Sequence, residues 1–289
     1  MNLFDQLVTE ALKNQPDLSS LRIVVEKELL HHDILRILSQ NNLLSNLTFI
    51  GGTCLRLCYG GIRLSEDLDF TGGNDFSRNN LAAMGQILTD CLNEKYNLQV
   101  RVSEPVKDSK NVDTWKIKIE TKPKQKHLPA QRINIDICRV HSYEKQPMML
   151  LNPYDIDMGT GGLILQAQSR EEIYADKLLA FALRPNRVKH RDLWDITWLH
   201  QKGFKPRLKL LPNKLKDRNL TPKHFLNLFN KRLKLLSENN NLEVEFKKEI
   251  NIFLALKQIN ETIKQDNLWA FIVYLISDLE AQMRNNLAG

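Results

Sequence analysis

The sequence is short of several things, and each shortage removes a class of function. No apolar run approaches the roughly 18 consecutive residues a membrane span requires. The most apolar stretch, residues 268–276 (LWAFIVYLI), reads as a buried helix. The first residues, MNLFDQLVTEALKNQPD, place acids among apolar positions and offer neither a basic start nor a small-residue cleavage site, so no signal peptide is expected. There are four cysteines, Cys54, Cys58, Cys91 and Cys138, and no C-x-x-C pair. Without Cys or His partners at zinc-finger spacing they read as reduced core thiols of a cytoplasmic protein. The seven histidines form no H-E-x-x-H or H-x₃₋₅-H pattern and read as structural, His31, His32, His190 and His200 among them. Internal repeats and long low-complexity tracts are absent as well.

What is present fits a folded protein. The 289 residues allow one large domain or two ordinary ones, and 42% hydrophobic with 26% charged residues is enough to build a core. The net charge is +7, unevenly spread: residues 205–234 carry ten Lys and Arg against the single acid Asp217. Such a block favours a polyanionic partner, nucleic acid first, with a merely solvated basic face as the equal alternative for a charge run alone.

Periodicity divides the chain in two. Residues 1–46 have helical spacing through Leu21, Val24, Val25, Leu29, Leu30, Ile34, Leu35 and Leu38. A short strand (47–50), a Gly-Gly turn, a short helix (53–59), a strand (64–70) and an amphipathic helix (80–96) follow. Three alternating segments, 98–102, 114–120 and 132–140, read as strands, with a basic hairpin-like loop at 122–126 and a Gly- and Pro-containing connection at 147–162. Ser169 with Glu172 three residues on makes a capping box that opens a helix to about Leu183. A second helix covers about 190–201, and three or more occupy 221–284. The expectation is an α+β protein: an α/β domain over 1–166, built on a small mixed sheet with N-terminal helices, then a helical domain over 167–289 that carries the basic patch.

The chemistry concentrates in FIGGTCLRLCYGGIRLSEDLDFT, residues 49–71. Residues two apart on a strand point the same way, so Asp67 and Asp69 are expected to present their carboxylates together while Leu68 and Phe70 enter the core. Like charges that close call for a cation, and oxygen-only ligands suit Mg²⁺ or Mn²⁺. Gly51-Gly52-Thr53 stands between a strand and a helix, where glycine lets backbone approach a phosphate and free N–H groups attract anions. In Ile133-Asn134-Ile135-Asp136-Ile137 the isoleucines alternate inward, leaving Asp136 on the other side as a third carboxylate. A bare reading makes Asp136 one exposed acid of an antiparallel sheet; beside Asp67 and Asp69 it reads as part of a metal site.

The pattern G-G-T-x-L…Y-G-x-x-R-x-S-E-D-L-D-F resembles the AbiEii/MenT toxins, a branch of the DNA polymerase β-like nucleotidyltransferases. Residues 174–199 (YADKLLAFALRPNRVKHRDLWDITWL) resemble them too, in A-D-K-L and R-D-L-x-D. The resemblance covers residues 49–199; the last ninety match no quoted motif. It implies that Gly51, Gly52, Thr53, Arg63 and Ser65 bind the nucleotide and that Asp67 and Asp69 bind metal, to which the strand pattern adds Asp136. It implies that Lys177 holds phosphate or helps activate the acceptor, and that Asp192 or Asp195 completes the second half of the cleft. The wider superfamily has Gly-Ser at the first turn; here Gly51-Gly52-Thr53 leaves the serine's part to Thr53 or Ser65. On their own residues, Lys177 is a solvent-facing helix lysine, Asp192 a first-turn acid, and Asp195 a partner for Lys189, Arg191 or Arg187.

The reading is a two-metal nucleotidyltransferase toxin that moves NMP from an NTP to RNA, the 3′ end of a tRNA being the acceptor the resemblance suggests. Growth arrest (abortive infection) would be the outcome, and a cognate antitoxin protein its partner. The rivals are a kinase-type phosphotransferase on the same metal site and an inactive nucleotide- or RNA-binding module that kept the fold.

Overall fold

The structure is a computed structural model, and it describes residues 2–105, 111–123, 129–185 and 187–288. It divides into two compact units, Met1–Gln168 and Ser169–Gly289. The expected basic loop at 122–126 lies largely outside the described residues.

The first unit is a seven-stranded mixed sheet with helices. Its elements are α1 (Leu3–Asn14), α2 (Arg22–Gln40), β1 (Thr48–Ile50), α3 (Gly51–Tyr59), β2 (Leu68–Thr71), α4 (Met84–Tyr96), β3 (Val100–Ser103), β4 (Val112–Ile119), β5 (Gln131–Cys138), β6 (Lys145–Met149) and β7 (Ile164–Gln168). The strand order is β3-β4-β5-β2-β1-β7-β6. β2 runs parallel to β5 and β1 parallel to β7, and the other neighbours are antiparallel. One face is core: Phe49, Leu68, Phe70, Trp115, Ile117, Ile133, Ile135 and Ile137 are all buried. The Phe49 and Phe70 rings meet at 5.1 Å between centroids. Each fully buried Ile, Leu or Phe contributes about 1.5–3 kcal/mol. The Gln131 side chain, on that face, donates to Glu26 of α2 at 2.7 Å, which identifies α2 as the cover over β5.

Local chemistry accounts for most boundaries. Asn2 caps α1 by accepting from the Asp5 amide at 2.7 Å. Gly60 ends α3 in the left-handed region at φ 71°, with the Gly61 amide on the Leu55 carbonyl. Two expectations need correction. The strand expected from residue 64 begins at Leu68, because the preceding segment is held by α2: Glu28 accepts from the Ser65 amide at 2.9 Å and His31 Nε2 bonds the Glu66 carbonyl oxygen at 3.0 Å. The connection expected over 147–162 begins inside β6, where Pro147 is tolerated because β6 is an edge strand.

The second unit is helical: α5 (Arg170–Leu183), α6 (His190–Gln201), α7 (Leu211–Lys216), α8 (Pro222–Glu238), α9 (Asn240–Asn251) and α10 (Leu268–Ala288), with shorter turns between. The Ser169 hydroxyl caps α5 on the Glu172 amide at 3.1 Å, as its capping box predicts. Thr221 caps α8 at 3.2 Å with Pro222 in the first turn. The basic block is less free than its composition suggests. Lys214 is 1% exposed and pairs with Glu172 at 2.6 Å and Asp176 at 2.9 Å. Arg232 donates to the Arg184 carbonyl. Lys205, Lys209, Lys216, Lys223, Lys231 and Lys234 remain exposed. Among the described residues, no helix is long and apolar enough to cross a membrane.

Candidate active site

Asp69 lies in β2 and Asp136 in β5, and the two are register partners across the parallel pair. Side chains at such positions leave the sheet on one side, the side opposite Leu68, Ile135 and α2. Both carboxylates are half-buried. Asp136 Oδ1 accepts from the Thr114 hydroxyl of β4 at 2.6 Å. Asp67 precedes β2 by one residue, and its Oδ1 accepts from the Asn134 amide of β5 at 3.1 Å.

Gly51 is built against Asp69. It has φ +78°, in the left-handed region, and a Cβ placed there would stand 2.6 Å from Asp69 Oδ2. A glycine at this turn is therefore required twice over, by backbone conformation and by the carboxylate beside it. Gly52 follows it into the first turn of α3. The strand–turn–helix thus seats the Asp69 carboxylate directly against the Gly51 backbone, where any side chain would collide with it.

Thr53 and Ser65 lie inward of this. Thr53 is fully buried and Ser65 is 6% exposed. Their hydroxyl oxygens are 2.6 Å apart, and the Thr53 hydroxyl donates to the Asp67 carbonyl. Arg63 is buried too, donating from Nη1 to the Leu64 carbonyl at 2.9 Å. Behind them Glu28 is fully buried and gathers the Ser65 amide, the Arg56 guanidinium at 3.1 Å and the Tyr154 hydroxyl. Sequence motifs do not reveal Glu28, but its spacing does: it falls three and four residues after Val25 and Val24, on the apolar side of α2. A carboxylate there has to be partnered.

Lys177, Asp192 and Asp195 form one cluster in the second unit. Lys177 is half-way along α5 and pairs from Nζ with Asp192 Oδ1 at 2.7 Å and Asp195 Oδ2 at 2.8 Å, both on α6. It is 12% exposed, so the solvent-facing lysine of the bare sequence reading does not occur. Asp195 takes Lys177 as a partner, and Asp192 also takes Arg184 at 2.9 Å. Burial opposes ionisation of Asp192, yet Lys177, Arg184 and Lys189 together hold its carboxyl well below the usual carboxylate range. Lys189, at the N-cap of α6, is moved the other way. Burial lowers it to about 8, against the attraction of Asp192 and with help from the neighbouring cations. Sequence reading named Lys189 only as a possible partner for Asp195; its burial has no sequence signal.

The donor set bears on a metal in two ways. Asp69 and Asp136 supply hard oxygen donors at paired register positions on one face of the sheet, which fits Mg²⁺ or Mn²⁺. Among the described residues, however, no three His, Cys, Asp or Glu side chains are drawn together tightly enough to form a ready-made cage. Asp67 is the looser third member, one of its oxygens being given to the Asn134 amide.

Comparison with known proteins closes the question of family. No curated protein matches the chain. Among solved structures, JHP933 from Helicobacter pylori is similar at 19% identity and a TM-score of 0.48, over 92% of this chain and 93% of that one. A proposed nucleotidyltransferase from H. pylori is similar at 18% identity and a TM-score of 0.47, over 91% and 97%. The family of the nucleotidyl transferase AbiEii toxin of type IV toxin–antitoxin systems matches residues 33–269, a span that contains the carboxylates, the glycine turn and the Lys177 cluster. The chain belongs to the AbiEii nucleotidyltransferase toxin family.

Proposed function

We propose that the protein is a metal-dependent toxin that transfers NMP from an NTP to an RNA acceptor, the 3′ end of a tRNA, arresting growth until a cognate antitoxin intervenes in the cytoplasm. The observation that carries this reading is the placement of Asp69 between Asp136, its register partner, and Gly51, against whose backbone the carboxylate is packed. Asp69 and Asp136, with Asp67, would hold the divalent cation. When bound, Mg²⁺ or Mn²⁺ supplies charge neutralisation on the triphosphate and a lowered pKa for an acceptor hydroxyl.

The protein's own groups do the rest. Gly51 and Gly52 admit the phosphates close to the backbone, and the first amides of α3 give them donors. The hydrogen bonds through Glu28, Ser65 and Thr53 hold the peptide at Asp67, and so the start of β2, in one position. In the second unit Lys177 is the cation for phosphate oxygens, oriented by Asp192 and Asp195. The exposed lysines of residues 205–234 add attraction for a polyanion.

The test is incubation of the protein with total RNA, Mg²⁺ and each NTP in turn, labelled at the α or the γ position. The proposal expects α label in RNA and γ label released in pyrophosphate. Transfer of γ label to RNA or protein would establish a kinase instead, and no transfer of either label to any acceptor would leave a binding module.

A further inference from the structure

The face of the sheet that carries Asp69 and Asp136 carries something else along β3, β4 and β5. Arg101 of β3 is the register partner of Lys118 of β4, and Lys118 is the register partner of Arg132 of β5. Three cations therefore stand in one row across three strands, with neighbouring Cβ atoms about 5 Å apart. Lys116, two residues along β4 from Lys118, sits on the same face opposite Ser103 and Asn134. All four side chains are exposed. Among the described residues none of the four makes an ion pair. Glu120, two residues along from Lys118, flanks the row, and the Gln99 amide, turned so that its nitrogen faces Glu120 and its oxygen faces Arg101, donates to it at 3.0 Å. Arg101 Nη2 donates to the same Gln99 side chain at 2.9 Å.

Like charges directly opposite one another on neighbouring strands destabilise a sheet. A solvated edge needs only scattered charges to stay soluble; two adjacent like-charged pairs in one row cost stability that solubility does not explain. The row also has a direction. From Arg132 the same face of β5 runs through Asn134 to Asp136, four residues or about 13 Å away, and Asp136 registers with Asp69.

We propose that this open face is the docking track for the acceptor RNA: Arg101, Lys118, Arg132 and Lys116 take the phosphates of a single strand whose end is led along β5 to the carboxylates. The inference rests on the reading of the protein as an RNA nucleotidyltransferase and adds where the acceptor lies. The exposed positions are lysine and arginine with Ser103 and Thr114 beside them, and no aromatic side chain stands in the row to stack a base or anchor a protein partner. The track therefore grips backbone and is indifferent to sequence.

The test is the triple variant Arg101→Gln/Lys118→Gln/Arg132→Gln, measured by anisotropy of a fluorescent single-stranded RNA of mixed sequence across a KCl series. Removing three phosphate contacts should weaken binding about tenfold or more at low salt. It should also flatten the slope of log K against log salt by about 2, at roughly 0.7 per contact. Binding of NTP with Mg²⁺ should stay as in the wild type, and the melting temperature should hold or rise as the opposed charges go. Asp69→Asn, by contrast, should bind this RNA normally while failing to modify it, so loss of the track and loss of the chemistry read out separately. RNA affinity and salt slope unchanged in the triple variant would overturn the proposal, as would a wild-type protein that does not bind RNA. The same three substitutions abolishing binding to a polyglutamate peptide while leaving RNA binding intact would assign the row to an acidic protein and overturn it too.

Discussion

The side-chain oxygens of Thr53 and Ser65 lie 2.6 Å apart, twelve residues apart in sequence, and join the first turn of α3 to the segment that leads into β2. The Thr53 hydroxyl donates to the Asp67 carbonyl and Glu28 accepts from the Ser65 amide, so a continuous run of hydrogen bonds leads from a buried carboxylate on α2 to the residue before the strand of Asp69. Both hydroxyls are engaged inside the protein, and their effect is to fix the backbone from which Asp67 and Asp69 project. Thr53→Val keeps the shape and removes the bonds. It should cost about 1–3 kcal/mol in urea unfolding, because the Asp67 carbonyl and the Ser65 hydroxyl lose a buried partner. In steady-state assays kcat should fall more than the KM for NTP rises.

Asp69→Asn and Asp136→Asn should each fold normally and lose nucleotide transfer by on the order of 10³-fold, about 4 kcal/mol of barrier. Asp67→Asn should retain more activity than either, since one Asp67 oxygen already serves the Asn134 amide. Label transfer under matched Mg²⁺ measures the order, and wild-type rates in Asp69→Asn would rule the mechanism out.

Much of this site is legible in the sequence because it is local. The Leu68-Asp69-Phe70 alternation marks Leu68 and Phe70 for the core and Asp69 for the other face, with Asp67 just before the strand, and Ile133 to Ile137 marks a strand with one outward acid. The Gly51 turn and the Ser169 cap are equally local, each signalled by a residue type that few other conformations demand. What the sequence hides is pairing at a distance. Nothing in Glu28 names Ser65 as its partner, thirty-seven residues away, and nothing in Lys214 names Glu172 and Asp176. Charge counting over residues 205–234 therefore included a lysine that is fully interior. The short β6 is hidden for another reason: KQPMM has no alternation, and an edge strand exposed on both sides along nearly its whole length needs none.

Lys214 should behave as a core residue and not as part of a surface patch. Lys214→Met leaves Glu172, fully buried, without its cation, and breaking such a pair from one side costs about 3–5 kcal/mol. The double variant Lys214→Met/Glu172→Gln should recover part of that loss. Chemical denaturation of the three proteins decides, and a single variant as stable as wild type would mean that the pair contributes nothing.

Acid should weaken the protein before its carboxylates titrate. Burial lowers His32 from 6.5 to about 4, outweighing the nearby Glu28 carboxylate, and burial lowers His31 as well. The unfolded chain binds a proton at His32 below its ordinary value while the folded protein refuses it, so stability is full above about 6.5 and drains away as the pH falls toward 4. The loss from His32 amounts to about 3 kcal/mol at 1.36 kcal/mol per pH unit. Thermal unfolding at neutral pH and at about pH 5 should show it, and His32→Gln should make the dependence shallower.

Gly51→Ala is the most economical test of the site's construction, because a single methyl group meets two obstacles. The backbone at φ +78° strains any residue with a Cβ, at about 1–2 kcal/mol, and the new atom would stand 2.6 Å from Asp69 Oδ2. The clash can be relieved only by moving the Asp69 carboxylate or the start of α3. Movement of the carboxylate spares most of the stability but takes Asp69 out of line with Asp136. Movement of the helix carries Thr53 with it and strains its bonds to Ser65 and the Asp67 carbonyl. Either way nucleotide transfer should fall at least as far as in Asp69→Asn. Gly60→Ala is the matched control, since its backbone is equally left-handed at φ +71° and its Cβ would meet only the Leu151 side chain at 3.8 Å. Urea unfolding and label transfer on both variants separate strain from function. A Gly51→Ala protein with wild-type transfer would mean that the close packing of Asp69 on Gly51 takes no part in the chemistry.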